Sequence, residues 1–257
     1  MTPRPIISVI VAVLNGEQTL HYFLQNVRNQ DFTKFELIII EGGSTDQTIA
    51  ILDQYSDFIA RLETISAVKM YPKLNEGIKI AKGEWLYFMG CDDYFIDPSA
   101  LQRVVPHLDA QQYDYVSGCV VQVPSKKIFR PRPHTQWLFH SLHHQGTFYH
   151  RRVFEAFQYN ENLHIAADYE LTLRIFLKGY RLKITSETIA CFSETGTSGN
   201  NPNLARAECA DIRRRVYGIF WGTILNYTVH SILRIKAQMM VWKLIKKPTY
   251  WEFMQNQ

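Results

Sequence analysis

This 257-residue chain lacks long purely apolar runs. The N-terminal one, residues 6–13, spans eight residues and is too short and too β-branched for a signal peptide or a membrane span. The four cysteines, Cys91, Cys119, Cys191 and Cys209, form no CxxC pair. That argues against a zinc site or a disulfide framework and fits reduced thiols in the cytoplasm. Low-complexity tracts and internal repeats are absent, and no HExxH follows among the histidines. The loop after the first apolar run, Leu14-Asn15-Gly16-Glu17, is acidic where a nucleotidyltransferase needs a Gly-rich loop bearing Lys or Arg. No nucleic-acid partner is expected.

What is present is core-forming material: 46% hydrophobic and 13% aromatic residues, enough for one sizeable core. The net charge of +4 is uneven, with nine Lys/Arg against three Asp/Glu in residues 204–257. This tail therefore carries +6 and the body −2. A basic tail with Trp221, Tyr227, Trp242, Tyr250 and Trp251 suits an anionic membrane surface, as do Arg213, Arg214, Arg215, Lys236, Lys243, Lys246 and Lys247. A solvated helix, packing against the body, or a homo-oligomer contact accounts for it equally well. Residues 216–233 lack charge but hold Gly, Thr, Asn, His and Ser, which suits a buried or interfacial helix better than a span.

Residues 6–13 and 36–40 read as strands buried on both faces. Leu20, Phe23, Leu24 and Val27 recur at helical spacing, as do Leu74, Ile78 and Ala81. A short helix through Ile49 and Leu52, a strand at 61–65 and a buried strand at 85–89 complete a β-α-β-α-β-α-β order. That order predicts a mostly parallel sheet with helices on both faces and a ligand crevice beyond the strands' carboxyl ends. Further on, Asp97-Pro98 is expected to cap a helix through Leu101 to Leu108, and residues 113–123 to form a strand. Helices are expected at 151–157 and 168–178, separate strands at 181–185 and 189–192, a loop at 193–203, and a helical tail.

Asp92 and Asp93 directly follow a buried strand. Adjacent carboxylates there repel each other, and a hard cation such as Mg²⁺ or Mn²⁺ would relieve both. A solvated turn or a helix cap is the plainer explanation. Asp168 opens an apolar-periodic helix, as a cap or as a general base. Five histidines, His134, His140, His143, His144 and His150, crowd a short span without a metal-ligand pattern.

The arrangement as a whole resembles the family 2 glycosyltransferases. The segments that carry the likeness are Ser8 to Asn15, Leu37 to Thr48, Asn75-Glu76-Gly77, Ala81-Lys82-Gly83-Glu84-Trp85, Phe88 to Asp93, His144 to Tyr149, and Ala167 to Arg174. The closest flavour is the bacterial exopolysaccharide and capsule type. The resemblance implies a GT-A (Rossmann-like) fold over residues 1–203, followed by a basic aromatic helical tail at 204–257. Residues 1–97 would be the nucleotide-sugar half and 98–203 the acceptor half. It implies an inverting, metal-dependent transfer from a nucleotide-diphosphate sugar, UDP-linked, to a hydroxyl of a saccharide or lipid-linked saccharide. The enzyme would serve cell-surface polysaccharide synthesis, in the cytoplasm or on the inner face of the plasma membrane.

By the same resemblance, Ala12, Val13, Asn15, Glu17, Glu41, Gly43, Ser44, Asp46, Asn75, Cys91 and Asp92 would bind the donor. Asp92 would hold Mn²⁺ or Mg²⁺, and Asp168 would be the base, with Glu170 next in line. Asp93, His144, Gln145 and Glu170 would face the diphosphate and acceptor. Three departures stand out: Glu41 for the family's usual Asp, Gly90 for the first acid of Asp-x-Asp, and residues 66–74, which lack the usual Asp-Lys-Gly stretch. They keep a rival reading open, a non-catalytic sugar-nucleotide-binding or scaffold protein.

Overall fold

A computed structural model describes residues 4–66 and 69–245. It divides into two compact units, residues 1–209 and 210–257. Of the tail residues above, Lys246, Lys247, Tyr250 and Trp251 lie outside the described residues.

The first four strands are β1 (Ile7–Val13), β2 (Phe35–Glu41), β3 (Arg61–Thr64) and β4 (Trp85–Gly90), joined by helices α1 (Leu20–Arg28), α2 (Thr48–Asp53) and α3 (Met70–Ile80). All pair in parallel, in the order β3-β2-β1-β4. The alternating side chains explain the unbroken apolar runs. Val9, Val11 and Val13 face a core with α1's Leu20, Phe23, Leu24 and Val27, all fully buried. Ile10 lies on the opposite face, where α3 packs so closely at Gly77 that a β-carbon would collide with it.

The sheet continues through five more strands: β5 (Tyr94–Phe95), β6 (Tyr115–Val123), β7 (Ile128–Phe129), β8 (Thr147–His150) and β9 (Leu182–Ser193). Beyond β4 the order is β8-β6-β9-β5, with β7 on β6. Only β6 and β9 are parallel in this half, so the whole sheet is mixed. The strands expected at 181–185 and 189–192 are one strand, β9, with register shifts opposite Ser117 to Val120. Continued pairing to β6 carries the ladder across the irregularity.

Helices α4 (Ala100–Val104), α5 (Val153–Ala156) and α6 (Ala167–Leu177) belong to this half. Asp97 does not cap α4 from the N-cap position, which Ser99 holds. It accepts the Ser99 amide at 2.9 Å and pairs with Arg103. The expected loop at 193–203 contains α7 (Thr197–Asn200) and the start of α8 (Pro202–Tyr217). The chain then breaks at Gly218, φ 80°, before α9 (Ile219–Ile245). No helix among the described residues is long and apolar enough to cross a membrane.

Candidate functional site

The registers bring Val13 beside Glu41 and Ala12 beside Gly90, so β1, β2 and β4 end together. Around these ends the chain locks two loops to each other. Asn15 adopts φ 52°, donates its amide to Ser44 Oγ at 2.8 Å and accepts the Thr45 amide at 2.9 Å on Oδ1. Asn tolerates that left-handed backbone better than most residues. Glu17 and Asp46 are reciprocal: the Glu17 amide donates to Asp46 Oδ2, and Glu17 Oε2 accepts the Gln47 amide, both at 3.1 Å.

Glu41 spends its carboxylate on the turn it opens, accepting the amides of Gly43 at 2.9 Å and Ser44 at 2.5 Å. Burial pushes its carboxyl up, but the Ser44 hydroxyl and the amides of Gly42 to Ser44 outweigh burial and hold it below the ordinary value. A glutamate here thus does turn-closing work for which its reach suffices.

Between these loops and β4 opens a cavity of about 600 Å³, lined by Asn15, Glu17, Thr45, Asp46, Asp92 and Thr195 among others. That size suits a small-molecule site. Three of its lining residues are acids and, among the described residues, none is Lys or Arg. Burial raises the Asp92 carboxyl above its usual range, though its own amide and the Ser193 hydroxyl lower it. Three carboxylates disfavour a diphosphate unless a cation offsets their charge. The residues therefore fit a hard divalent ion held by one carboxylate and completed by phosphate and water. Among the described residues no cluster of three His, Cys, Asp or Glu forms a metal cage, the histidines included.

Gly90 and Gly196 wall Asp92 in. A β-carbon at Gly90 would stand 2.6 Å from Asp92 Oδ1 and 2.9 Å from Asp93 Oδ2, and one at Gly196 would stand 2.9 Å from Asp92 Oδ2. A side chain at Gly90 would thus have to displace the carboxylates of Asp92 and Asp93 from where they now lie.

Asp93 is a tie rather than a cavity wall. It accepts the Gly90 amide at 3.0 Å, Gln145 Nε2 at 2.7 Å and the Ser193 amide at 3.0 Å, joining β4, the segment before β8 and the end of β9. Burial, then the charge of Asp92, pushes its pKa up to about 7. Gln145 serves the same tie, and its carbonyl accepts the Tyr87 hydroxyl at 2.7 Å.

Asn75 is buried and fully used. Its amide donates to Tyr159 O and Glu161 Oε1, both at 2.9 Å, and its carbonyl accepts the Tyr159 amide at 3.0 Å. The structure makes it a brace for residues 159–161. His144 is likewise enclosed, stacked on Phe88 and bonded through Nε2 to the Tyr159 hydroxyl at 2.8 Å. Burial drops its pKa to about 4, so the ring is neutral. Cys91 lies beside Thr19, its thiol pushed up to about 11 by burial and therefore inert at neutral pH. Ala12, at the end of β1, keeps partial exposure, whereas Val13 is fully buried and presents its carbonyl.

Asp168 lies in the first turn of α6, yet it is not a side-chain cap. Ala166 holds the N-cap position, and Asp168 Oδ1 accepts the amide of its neighbour Tyr169 at 2.8 Å. Its other oxygen is 3.3 Å from His140 Nε2. The chain leading into α6 is fixed from a distance: Glu208, on α8, accepts the amides of His164, Ile165 and Ala166 at 2.7, 2.9 and 2.9 Å. Nothing in the spacing of Glu208 from α6 reveals that, and sequence reading missed it. Glu170, two positions from Asp168, faces elsewhere on the helix. It bonds Asn160 and Arg174, each at 2.9 Å, and lines a separate cavity of about 240 Å³.

A family model described as glycosyl transferase family 2 matches residues 8–177. A PGL/p-HBAD biosynthesis glycosyltransferase of Mycobacterium bovis is 30% identical over 183 residues, covering 67% of this chain and 70% of that protein. The uncharacterized glycosyltransferase EpsJ of Bacillus subtilis is 25% identical over 224 residues, covering 77% and 62%. This chain belongs to the family 2 glycosyltransferases, and it is a transferase.

Among solved structures, residues 1–349 of S. aureus TarS in complex with UDP-GlcNAc superpose with a TM-score of 0.69 at 19% identity, covering 82% of this chain and 65% of that one. The chain spans 39% of the longer TarS structure. The mannosyltransferase PcManGT from Pyrobaculum calidifontis, in complex with GDP-Man and Mn²⁺, superposes with a TM-score of 0.71 at 17% identity, covering 99% and 85%. These likenesses establish the GT-A fold.

Proposed function

We propose that this chain transfers a sugar from a UDP-sugar to a hydroxyl of a saccharide or lipid-linked saccharide, with inversion, in cell-surface polysaccharide synthesis. The observation that carries the donor half is the acidic cavity at the joined ends of β1, β2 and β4. Its position is the crevice where open parallel sheets take nucleotides. Asp92 would hold Mn²⁺ or Mg²⁺, which supplies charge neutralisation for the departing diphosphate. Asn15, Glu17, Ser44 and Asp46 keep the two loops in register.

The acceptor oxygen attacks the anomeric carbon as the bond from that carbon to the diphosphate oxygen breaks. The hydroxyl proton passes to the Asp168 carboxylate, and the nucleoside diphosphate leaves with the bonding pair. A single displacement inverts the centre, unlike hydrolysis by a carboxylate pair through a glycosyl-enzyme. His140 and the Tyr169 amide fix the carboxylate's orientation. Peripheral contact with the inner face of the plasma membrane is supported by Phe220, Trp221 and Tyr227, all exposed on α9.

Titration calorimetry with UDP tests this reading. Binding in Mn²⁺ and its loss in EDTA are expected. No heat with millimolar UDP and Mn²⁺ would sink the donor assignment.

A further inference from the structure

Lys73 is a buried charge that the reaction above leaves unused. It stands on α3 and is 3% exposed. Its Nζ donates one hydrogen bond, 3.4 Å long, to the Val13 carbonyl, an oxygen that already accepts the Gly42 amide at 2.9 Å. An ammonium carries three N–H donors, so two have no partner among the described residues. Burying such a group unpaired is costly. Burial pulls its pKa below the ordinary lysine value, opposed first by the charge of Glu41. Glu41 offers little relief, because its oxygens are engaged by Gly43 and Ser44.

These groups mark one place in the fold. Val13 ends β1, Glu41 ends β2, and Cys91 follows β4. The strand order turns at β1, with β2 and β3 on one side and β4 on the other. A ligand entering that point meets the carboxyl ends of all three strands. A lysine stem held at its tip by one long bond has the reach and freedom to take a better acceptor.

We propose that Lys73 selects the nucleobase by donating to the carbonyl oxygen at C4 of uracil, and so rejects cytosine. This rests on the donor reading above. Uracil and cytosine share the C2 carbonyl, so contact there cannot separate them. At C4 uracil has an oxygen acceptor and cytosine an amino donor. An ammonium, which only donates, would face that amino group with both sides unpaired. Sites built around a required hydrogen bond discriminate strongly against a partner that cannot make it.

The test is calorimetry on the full chain with UDP and CDP in Mn²⁺, for wild type, Lys73→Met and Lys73→Gln. Wild type should bind UDP at least about tenfold more tightly than CDP. Lys73→Met should bring that ratio close to one, chiefly by weakening UDP. Lys73→Gln, whose amide both donates and accepts, should do so by admitting CDP. If Lys73→Met does not fold, the glutamine variant decides. A ratio preserved in a folded variant, or a wild type that binds both nucleotides alike, overturns the proposal. Wild type that binds neither nucleotide refutes the donor reading itself, which the UDP titration detects separately.

Discussion

In the first half of the sheet each strand runs parallel to its neighbour, and the helix that covers it follows directly in sequence. In the second half β8 inserts between β4 and β6, β5 pairs with β9, and four of the five pairings within this half or joining it to β4 are antiparallel, three of them with partners distant in sequence. The donor loops are accordingly held by short backbone-to-side-chain bonds between two neighbouring loops. Asp168 is held by its neighbour's amide and by His140 from a separate segment, while the chain leading into its helix is tied to Glu208 on α8. If the first half takes the donor and the second the acceptor, as proposed above, single changes will separate binding from turnover.

The sharpest break should come from Asp168→Asn. Loss of a general base slows a step about 10²–10⁴-fold. UDP affinity should stay within about twofold, since the donor loops do not touch this residue. Single-turnover transfer and calorimetry on the same preparation check it, and near-normal transfer would end the assignment of Asp168 as base. Next in size is Asp92→Asn, expected to weaken UDP binding in Mn²⁺ at least about tenfold, roughly 1.4 kcal/mol, and to leave binding insensitive to EDTA. An unchanged response to Mn²⁺ would remove Asp92 as ligand.

Glu208→Ala should strand three amides and cost about 1–3 kcal/mol of stability. Chemical denaturation would read this, and loss of transfer should exceed loss of UDP affinity. Equal losses would erase the contrast between the halves. The remaining prediction concerns Asp93. Its folded pKa of about 7 lies above the ordinary carboxylate value near 4, so the folded state holds an extra proton between them. That contribution is complete below about pH 4 and disappears as pH rises through about 7. In EDTA, wild type should therefore lose thermal stability relative to Asp93→Asn from pH 5 to pH 8. A gain over that window would contradict the buried, cation-free state of Asp93.

Much of the donor half was legible in the sequence because both faces of its strands are buried. Val9, Ile10 and Val11 need no partner distant in sequence to be read as a strand. The joining of Glu41, Asp46 and Asp92 at one sheet end followed from the strand order alone. The acceptor half was harder. Thr147 to His150 gives too short a run to announce β8, and the two apolar patches of β9 are separated by Ser186 and Glu187, which read as a turn. Asn75 and His144 illustrate a different limit: polarity in a recognisable pattern does not say whether a side chain meets a ligand or its own fold. Lys73 escaped notice because an isolated lysine in a helix is ordinarily solvated, and only the packing of α3 on β1 buries it.

The stretch shared with the family ends at residue 177, while the carboxylate steadying the start of α6 sits at 208. The support of the fold therefore runs past the family boundary. Exchanging everything after residue 177 would replace the carboxylate that holds the approach to α6 while leaving the loops after β1 and β2 intact. A working chimera would need its own later stretch to accept the amides of residues 164–166.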